Sequence, residues 1–302
     1  MIGRLGGYIV RAYPPAFYVL FMLSWAVGLT ALFVSVDSRV TAWRPGAELL
    51  VTSVTLVVDM LLLRALDDLR DRDYDLEHNP GRALPSGAVR VADLLALVGV
   101  GAVVLLALNA WRGGALLVLV AHLGYAGVVI LIDQLFGWPK GERLLLSLAV
   151  NLPIQPLLSL YVYAGFLREH DLTPSRQGIA AVAAVTLSGL CLEFGRKVTR
   201  HPGKGERTYV TMLGTPGTTA VAVSLAAAAT LAVLAILRPW NTDSAVHGWG
   251  WIVVVPAVLP ATAAYLFSRG RPRWPALPTL AYLPAAYCSF IAVGWLTKGA
   301  VL

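Results

Sequence analysis

The sequence predicts an all-α integral membrane protein with nine transmembrane helices, forming a single domain over residues 1–302. Composition is the first observation behind this. Hydrophobic residues make up 57% of the chain and charged residues only 14%, whereas an average soluble domain has about 25% charged residues. Such a chain cannot cover itself with a polar coat. The second is segment length: nine apolar runs approach or exceed the roughly 20 residues that a helix needs to cross a bilayer. The third is the pattern within those runs. They lack the strict alternation of a barrel strand, so helices are the spans that lipid permits.

The first span, 16–36, follows a short amino-terminal stretch with Arg4 and Arg11 and no small-residue cleavage site. That stretch reads as the start of the first helix, not as a removable signal peptide. The second, 47–66, runs directly into "RALDDLRDRDYDLE", and the third and fourth are 91–110 and 114–135. The fifth, 144–166, carries "NLPIQPLLSLYVY", in which Asn151 and Gln155 lie one turn apart between two prolines. These two amides either line an acceptor pocket or pair across helices. The remaining spans are 178–194, 217–237, 250–267 and 277–297. Cys191 and Cys288 fall inside spans, which argues against a disulfide framework.

Nine spans put the amino terminus and loops 2–3, 4–5, 6–7 and 8–9 on one side. That side holds 17 of the 24 Lys and Arg residues. The positive-inside rule therefore predicts a multi-pass cell-membrane protein with a cytoplasmic amino terminus. The same bias accounts for the net charge of +7 without nucleic acid, which would call for a basic face on a soluble module. The lipid bilayer is the partner that composition implies.

The charge that remains is concentrated in loops 2–3 and 6–7. Leu63 to Glu77 holds six carboxylates and three arginines. On a continuous helix Arg64, Asp68, Asp71 and Asp75 fall within about 60° of one another, with Asp73 and Glu77 on the opposite side. Three carboxylates on one stripe repel unless a cation lies between them. Mg²⁺, a hard ion that completes its shell with water and phosphate oxygens, is the natural partner. The alternative is a solvated helix end whose acids and arginines pair along the surface. An EF-hand is excluded because its sixth and twelfth positions would be Leu76 and Arg82, and neither P-loop nor zinc spacing is present.

The second cluster is "CLEFGRKVTRHPGKGERTYVTMLG", Cys191 to Gly214. Glu193, Arg196, Lys197 and Arg200 share one helical face, a carboxylate ringed by cations that can hold a polyanion such as diphosphate. Ordinary anchoring at a helix terminus accounts for Arg200, Lys204 and Arg207, and less well for Glu193 on the membrane side. Lys140, in "FGWPKGER", reads by itself as a snorkelling lysine.

Together these residues resemble the UbiA superfamily of intramembrane prenyltransferases, over the whole chain. The family's Asn-Asp-x-x-Asp-x-x-x-Asp appears here as Asp67-Asp68-Leu69-Arg70-Asp71-Arg72-Asp73-Tyr74-Asp75, followed by Pro85-Ser86-Gly87. Asp67 replaces the Asn. The second motif, Asp-x-x-x-Asp, aligns with Glu193-Phe194-Gly195-Arg196-Lys197, so one acid has become a lysine. A Tyr-x-x-x-Lys of relatives aligns with Phe136 to Lys140 and loses its tyrosine.

The resemblance implies nine helices around a central cavity, capped by loops 2–3 and 6–7. It implies an isoprenoid diphosphate donor and an aromatic or lipophilic acceptor. Mg²⁺ would be held by Asp68, Asp71 and Asp75, with Asp67 and Glu193 as further acids. Arg64, Arg82, Lys140, Arg196, Lys197 and Arg200 would be the counter-charges on diphosphate. A terpene cyclase of the same family, closing the cation on its own chain, remains open, as does a transporter or non-catalytic binder of another class. A transporter would instead place its charges near the bilayer midplane on broken helices.

Overall fold

The computed structural model describes residues 1–139, 143–203, 206–244 and 246–299. Among these, nine helical spans are long and apolar enough to cross a membrane. They are α2 (Pro15–Val36), α3 (Ala47–Arg70), α5 (Val91–Asn109), α6 (Gly114–Phe136), α7 with α8 (Leu144–Asn151 and Ile154–Glu169) and α9 (Arg176–Arg196). The last three are α10 (Val210–Leu237), a 3₁₀ helix leading into α11 (Trp249–Ala257 and Val258–Ser268), and α12 (Ala276–Lys298). Both cysteines are free. The membrane face that bears the amino terminus is called the near side below, and the other the far side.

The sequence reading needs correction at two places. The amino-terminal stretch is not part of the first span but a separate amphipathic helix, α1 (Ile2–Ala12), set off by Pro14 and Pro15. Proline cannot continue the hydrogen-bond ladder. Tyr8 and the partly buried Leu5 and Ile9 face inward onto Ala65, Leu84, Val89 and Leu94, while Ile2 and Val10 are exposed. The charged segment after the second span is also not one helix. Asp71, with φ −85° and ψ 9°, separates α3 from a short α4 (Arg72–His78).

Breaks and close approaches shape the spans. Pro153 and Pro156 lack N–H donors where α7 passes to α8, and the Tyr125 hydroxyl donates to the Val150 carbonyl beside that break at 2.7 Å. Gly214 kinks α10 with φ +67°, a conformation that side chains with a Cβ rarely adopt. In lipid, helices associate through close packing of small residues rather than through a hydrophobic drive. Gly28 of α2 illustrates this, since a Cβ there would lie 2.6 Å from the Cβ of Tyr287 on α12.

On the far side a polar network ties α3, α5 and α8 together. Arg112 is fully buried and donates to Glu48 (2.7 Å), Thr52 (2.7 Å), Asn109 (2.8 Å) and Tyr161. Arg168 donates to the other Glu48 oxygen at 2.8 Å. A charge buried in a membrane protein persists where it is paired in this way. On the near side, the loop after α9 is stitched to the loop before α12. Thr199 bridges Arg273, and Arg200 and Trp274 donate main-chain bonds to Pro272 and Val198.

Candidate functional site

The near-side ends of α3, α6, α7 and α9 bring the charged loops together, but not as the continuous stripe requires. The acids of the first motif fall into two environments. Asp68 and Asp75 are closed in. Asp68 accepts from the Tyr8 hydroxyl of α1 at 3.0 Å and pairs with Arg64 at 2.8 Å. Asp75 accepts from Asn79 at 2.8 Å and from Arg82 at 2.7 Å, and is 2% exposed. Burial, and then the charge of Asp68, push the Tyr8 phenol up, so it remains a protonated donor.

Asp67 and Asp71 are open. Asp67 has a 52% exposed side chain and pairs with Arg70 at 3.0 Å. Asp71 pairs with Arg207 across 136 residues at 3.2 Å, which draws loop 6–7 onto loop 2–3. The guanidinium of Arg207 also lies 4.0 Å from the ring centre of Tyr74. Arg70 reaches the Asn151 amide oxygen at 3.0 Å, so Asn151 belongs to this cluster. Gln155 instead pairs across helices with the carbonyl of Val185. Asp73 and Glu77 are exposed.

The α9 wall is basic and already internally paired. Lys197 lies 2.6 Å from Glu193 and Arg196 3.7 Å from it, while Tyr209 donates to the same carboxylate at 3.1 Å. Burial, with Glu193 adding to it, pushes the Tyr209 phenol up. Thr208 donates to the Lys197 carbonyl, which fixes the start of the strand of chain carrying Arg207. Arg200 faces away from the cluster, because its guanidinium donates to the carbonyls of Arg271 (3.0 Å) and Phe267 (2.7 Å). Lys140 lies outside the described residues.

Sequence reasoning passed over three ionisable positions within spans. Asp133, near the end of α6, stands within electrostatic range of Arg70, Asp71 and Arg207. Its signal was available as the lone carboxylate in "GVVILIDQLF". Asp59 and His122 form a fully buried pair at 2.9 Å between the middle of α3 and α6. Arg207 was set down to terminus anchoring because its partner is remote in sequence.

Among the described residues no three acidic, histidine or cysteine side chains converge closely enough to hold a metal ion. Asp68, Asp71 and Asp75 make separate pairings, Asp68 with Arg64 and Tyr8, Asp71 with Arg207, and Asp75 with Arg82 and Asn79. Mg²⁺ bound to a phosphorylated substrate takes only one or two protein carboxylates, with phosphate and water oxygens filling the shell. Asp67 and Asp71, open and one helical turn apart, are a donor set of that kind.

No family model and no curated protein matches the sequence. Among solved structures, the chain resembles the apo structure of a UbiA homolog from Aeropyrum pernix K1, with a TM-score of 0.61 and 18% identity. The likeness covers 91% of this chain and 96% of that one.

Proposed function

We propose that this chain, which has the UbiA fold, is an intramembrane prenyltransferase that moves an isoprenyl group from an isoprenoid diphosphate to an aromatic acceptor. The observation that carries the reading is the joining, at the near side of the bundle, of an acidic wall to a basic one through the Arg207–Asp71 ion pair at 3.2 Å. One is acidic, from α3 and α6, and the other basic, from α9 and the loop after it, with Arg70 and Arg207 between them. A diphosphate with a divalent cation has the charge pattern that such walls complement.

Asp67 and Asp71 would hold Mg²⁺, which when bound supplies Lewis-acid neutralisation of the leaving diphosphate. Arg70, Arg207, Arg196 and Lys197 offer donors where negative charge grows as the allylic C–O bond breaks. Arginine suits bidentate contact with phosphate and lysine a single point charge. The apolar spans below exclude water, which would quench the allylic cation. Asp68 and Asp75, paired with Arg64 and Arg82, hold α1 and the following loop in place around the mouth. The positive-inside bias favours the cytoplasmic face for this site.

The test is purified protein with Mg²⁺ and a panel of allylic diphosphates, with and without aromatic acceptors. Acceptor-dependent release of diphosphate and an alkylated ring support the reading. Acceptor-free hydrocarbon would instead show a cyclase, and no diphosphate release from any donor would refute both.

A further inference from the structure

We infer that α1 carries a binding site for the phosphate headgroup of an anionic phospholipid, in the groove between its arginine face and the loop at 83–88. The groove is a cavity of about 260 Å³ lined by Arg4, Arg11, Gly3 and Gly7 of α1 and by Ala83 and Ala88 across from it. On the helix the two arginines fall within about 20° of each other, two turns apart, with both glycines beside them. Tyr8 also lines the groove and is held in place by its hydrogen bond to Asp68 at 3.0 Å. Arg4 is already neutralised, since it donates twice to Asp93, at 2.7 and 2.9 Å. Arg11 is exposed and makes no ion pair or side-chain hydrogen bond among the described residues. No carboxylate lines the groove, so it keeps one uncompensated positive charge.

Glycine weakens a helix interior, and close packing is the usual reason to place one there. Gly3 and Gly7 have no such reason, because a Cβ at either would meet nothing within 4 Å. Their bareness keeps the groove open. The occupant follows from place and charge. Ile2 and Val10 are exposed at least about 100° round the axis from the arginines. A helix of this kind lies in the membrane interface, with its apolar residues among acyl chains and its basic face among headgroups. Only Tyr13 and Pro14 separate α1 from the first span, so lipid phosphate is the anion at that depth. One free guanidinium matches one phosphodiester, through a bidentate contact. A choline or ethanolamine head adds a cation for which the lining has no carboxylate, so net-anionic heads are preferred. Pockets that enclose drug-sized ligands measure about 300–1,000 Å³, so this smaller groove takes a headgroup and leaves the acyl chains in the bilayer.

The experiment uses the purified full chain in a non-ionic detergent with an equimolar mixture of dioleoyl phosphatidylglycerol and dioleoyl phosphatidylcholine, and counts retained lipid by native mass spectrometry. One arginine near an anionic surface is worth about a fivefold effect on binding. The wild-type chain should therefore retain phosphatidylglycerol over phosphatidylcholine by about fivefold or more. Arg11→Gln should lower the retained phosphatidylglycerol by about the same factor, and Gly7→Leu should do so with every charge in place, by filling the groove. Arg271→Gln, which removes an exposed arginine from another loop on the same face, should leave it unchanged. Thermal unfolding of each variant checks the fold, and Gly3→Leu, which fills the other end of the groove, is read in place of either variant that does not fold. Equal retention of the two lipids overturns the inference, as does retention within twofold of wild type by Arg11→Gln or Gly7→Leu. Displacement of phosphatidylglycerol by millimolar inorganic phosphate overturns it too, since the groove would then be a site for free phosphate.

Discussion

Arg207→Gln separates catalysis from stability more sharply than any other change at the mouth. The side chain has two contacts, Asp71 at 3.2 Å and the face of Tyr74 at 4.0 Å. Arg207 is 37% exposed and Asp71 29% exposed, so water and salt screen the pair. An ion pair of this kind contributes about 0.2–1 kcal/mol, and an exposed cation–π contact about 0.5–1 kcal/mol. The expected loss of stability is therefore below about 2 kcal/mol, a shift of a few degrees in thermal unfolding. Turnover is a different matter. Removing one donor aimed at developing charge typically lowers kcat by about 10²–10³-fold. The assay is diphosphate release from an allylic donor, with unfolding of the same preparation followed by tryptophan fluorescence. Arg200→Gln is the companion variant. It should lose stability, because its guanidinium holds the Phe267 and Arg271 carbonyls, and lose turnover only in proportion to unfolded protein. Arg207→Gln retaining turnover within threefold of wild type would refute the placing of Arg207 at the diphosphate.

Three further outcomes follow from the same geometry. Asp71→Asn should abolish turnover with the fold intact, whereas Asp73→Asn should leave product formation near wild type; equal loss would mean that the open face was misassigned. Tyr8→Phe removes a hydrogen bond to a buried carboxylate and should cost about 1.5–3 kcal/mol in unfolding measurements, and an unchanged unfolding midpoint would show that α1 is not anchored through Asp68. Arg112→Met strands Glu48 with only Arg168 and should destabilise the far side by about 3–5 kcal/mol, with diphosphate release per folded molecule unaltered.

The nine spans were legible because a bilayer fixes both length and polarity, and the observed helices begin and end within a few residues of the apolar runs except at α10. There the helix starts at Val210, seven residues before the apolar run, and passes through the kink at Gly214. The helix α1 escaped the reading because it is amphipathic rather than apolar, and its role depends on Asp68 and Asp93, which lie far along the chain. The carboxylate stripe was drawn by carrying a fixed rotation per residue through Asp71, where the backbone turns. Rotation alone does not say what each acid meets: Asp68 and Asp75 are enclosed by Tyr8, Arg64, Arg82 and Asn79, while Asp67 and Asp71 are open. Arg207 could not be assigned from local sequence at all, since only the fold brings it to Asp71. Asp133 could have been, as a single acid in an apolar run.

The contact between Gly28 and Tyr287 joins the first membrane span to the last, and Gly294 against Ala31 extends the same seam, with a Cβ on that glycine only 3.1 Å from the alanine Cβ. A chain that enters the membrane in order of synthesis has α2 in place long before α12 exists. During that interval the glycine face of α2 can meet only lipid or an unintended neighbour. The bundle is therefore completed by its final helix, and a chain ending before Ala276 would leave α2 without the surface it was shaped to meet. Proteases and chaperones would meet that species as an open assembly, and the transition to the closed one would come as a late, cooperative step governed by residues at the two extremes of the sequence.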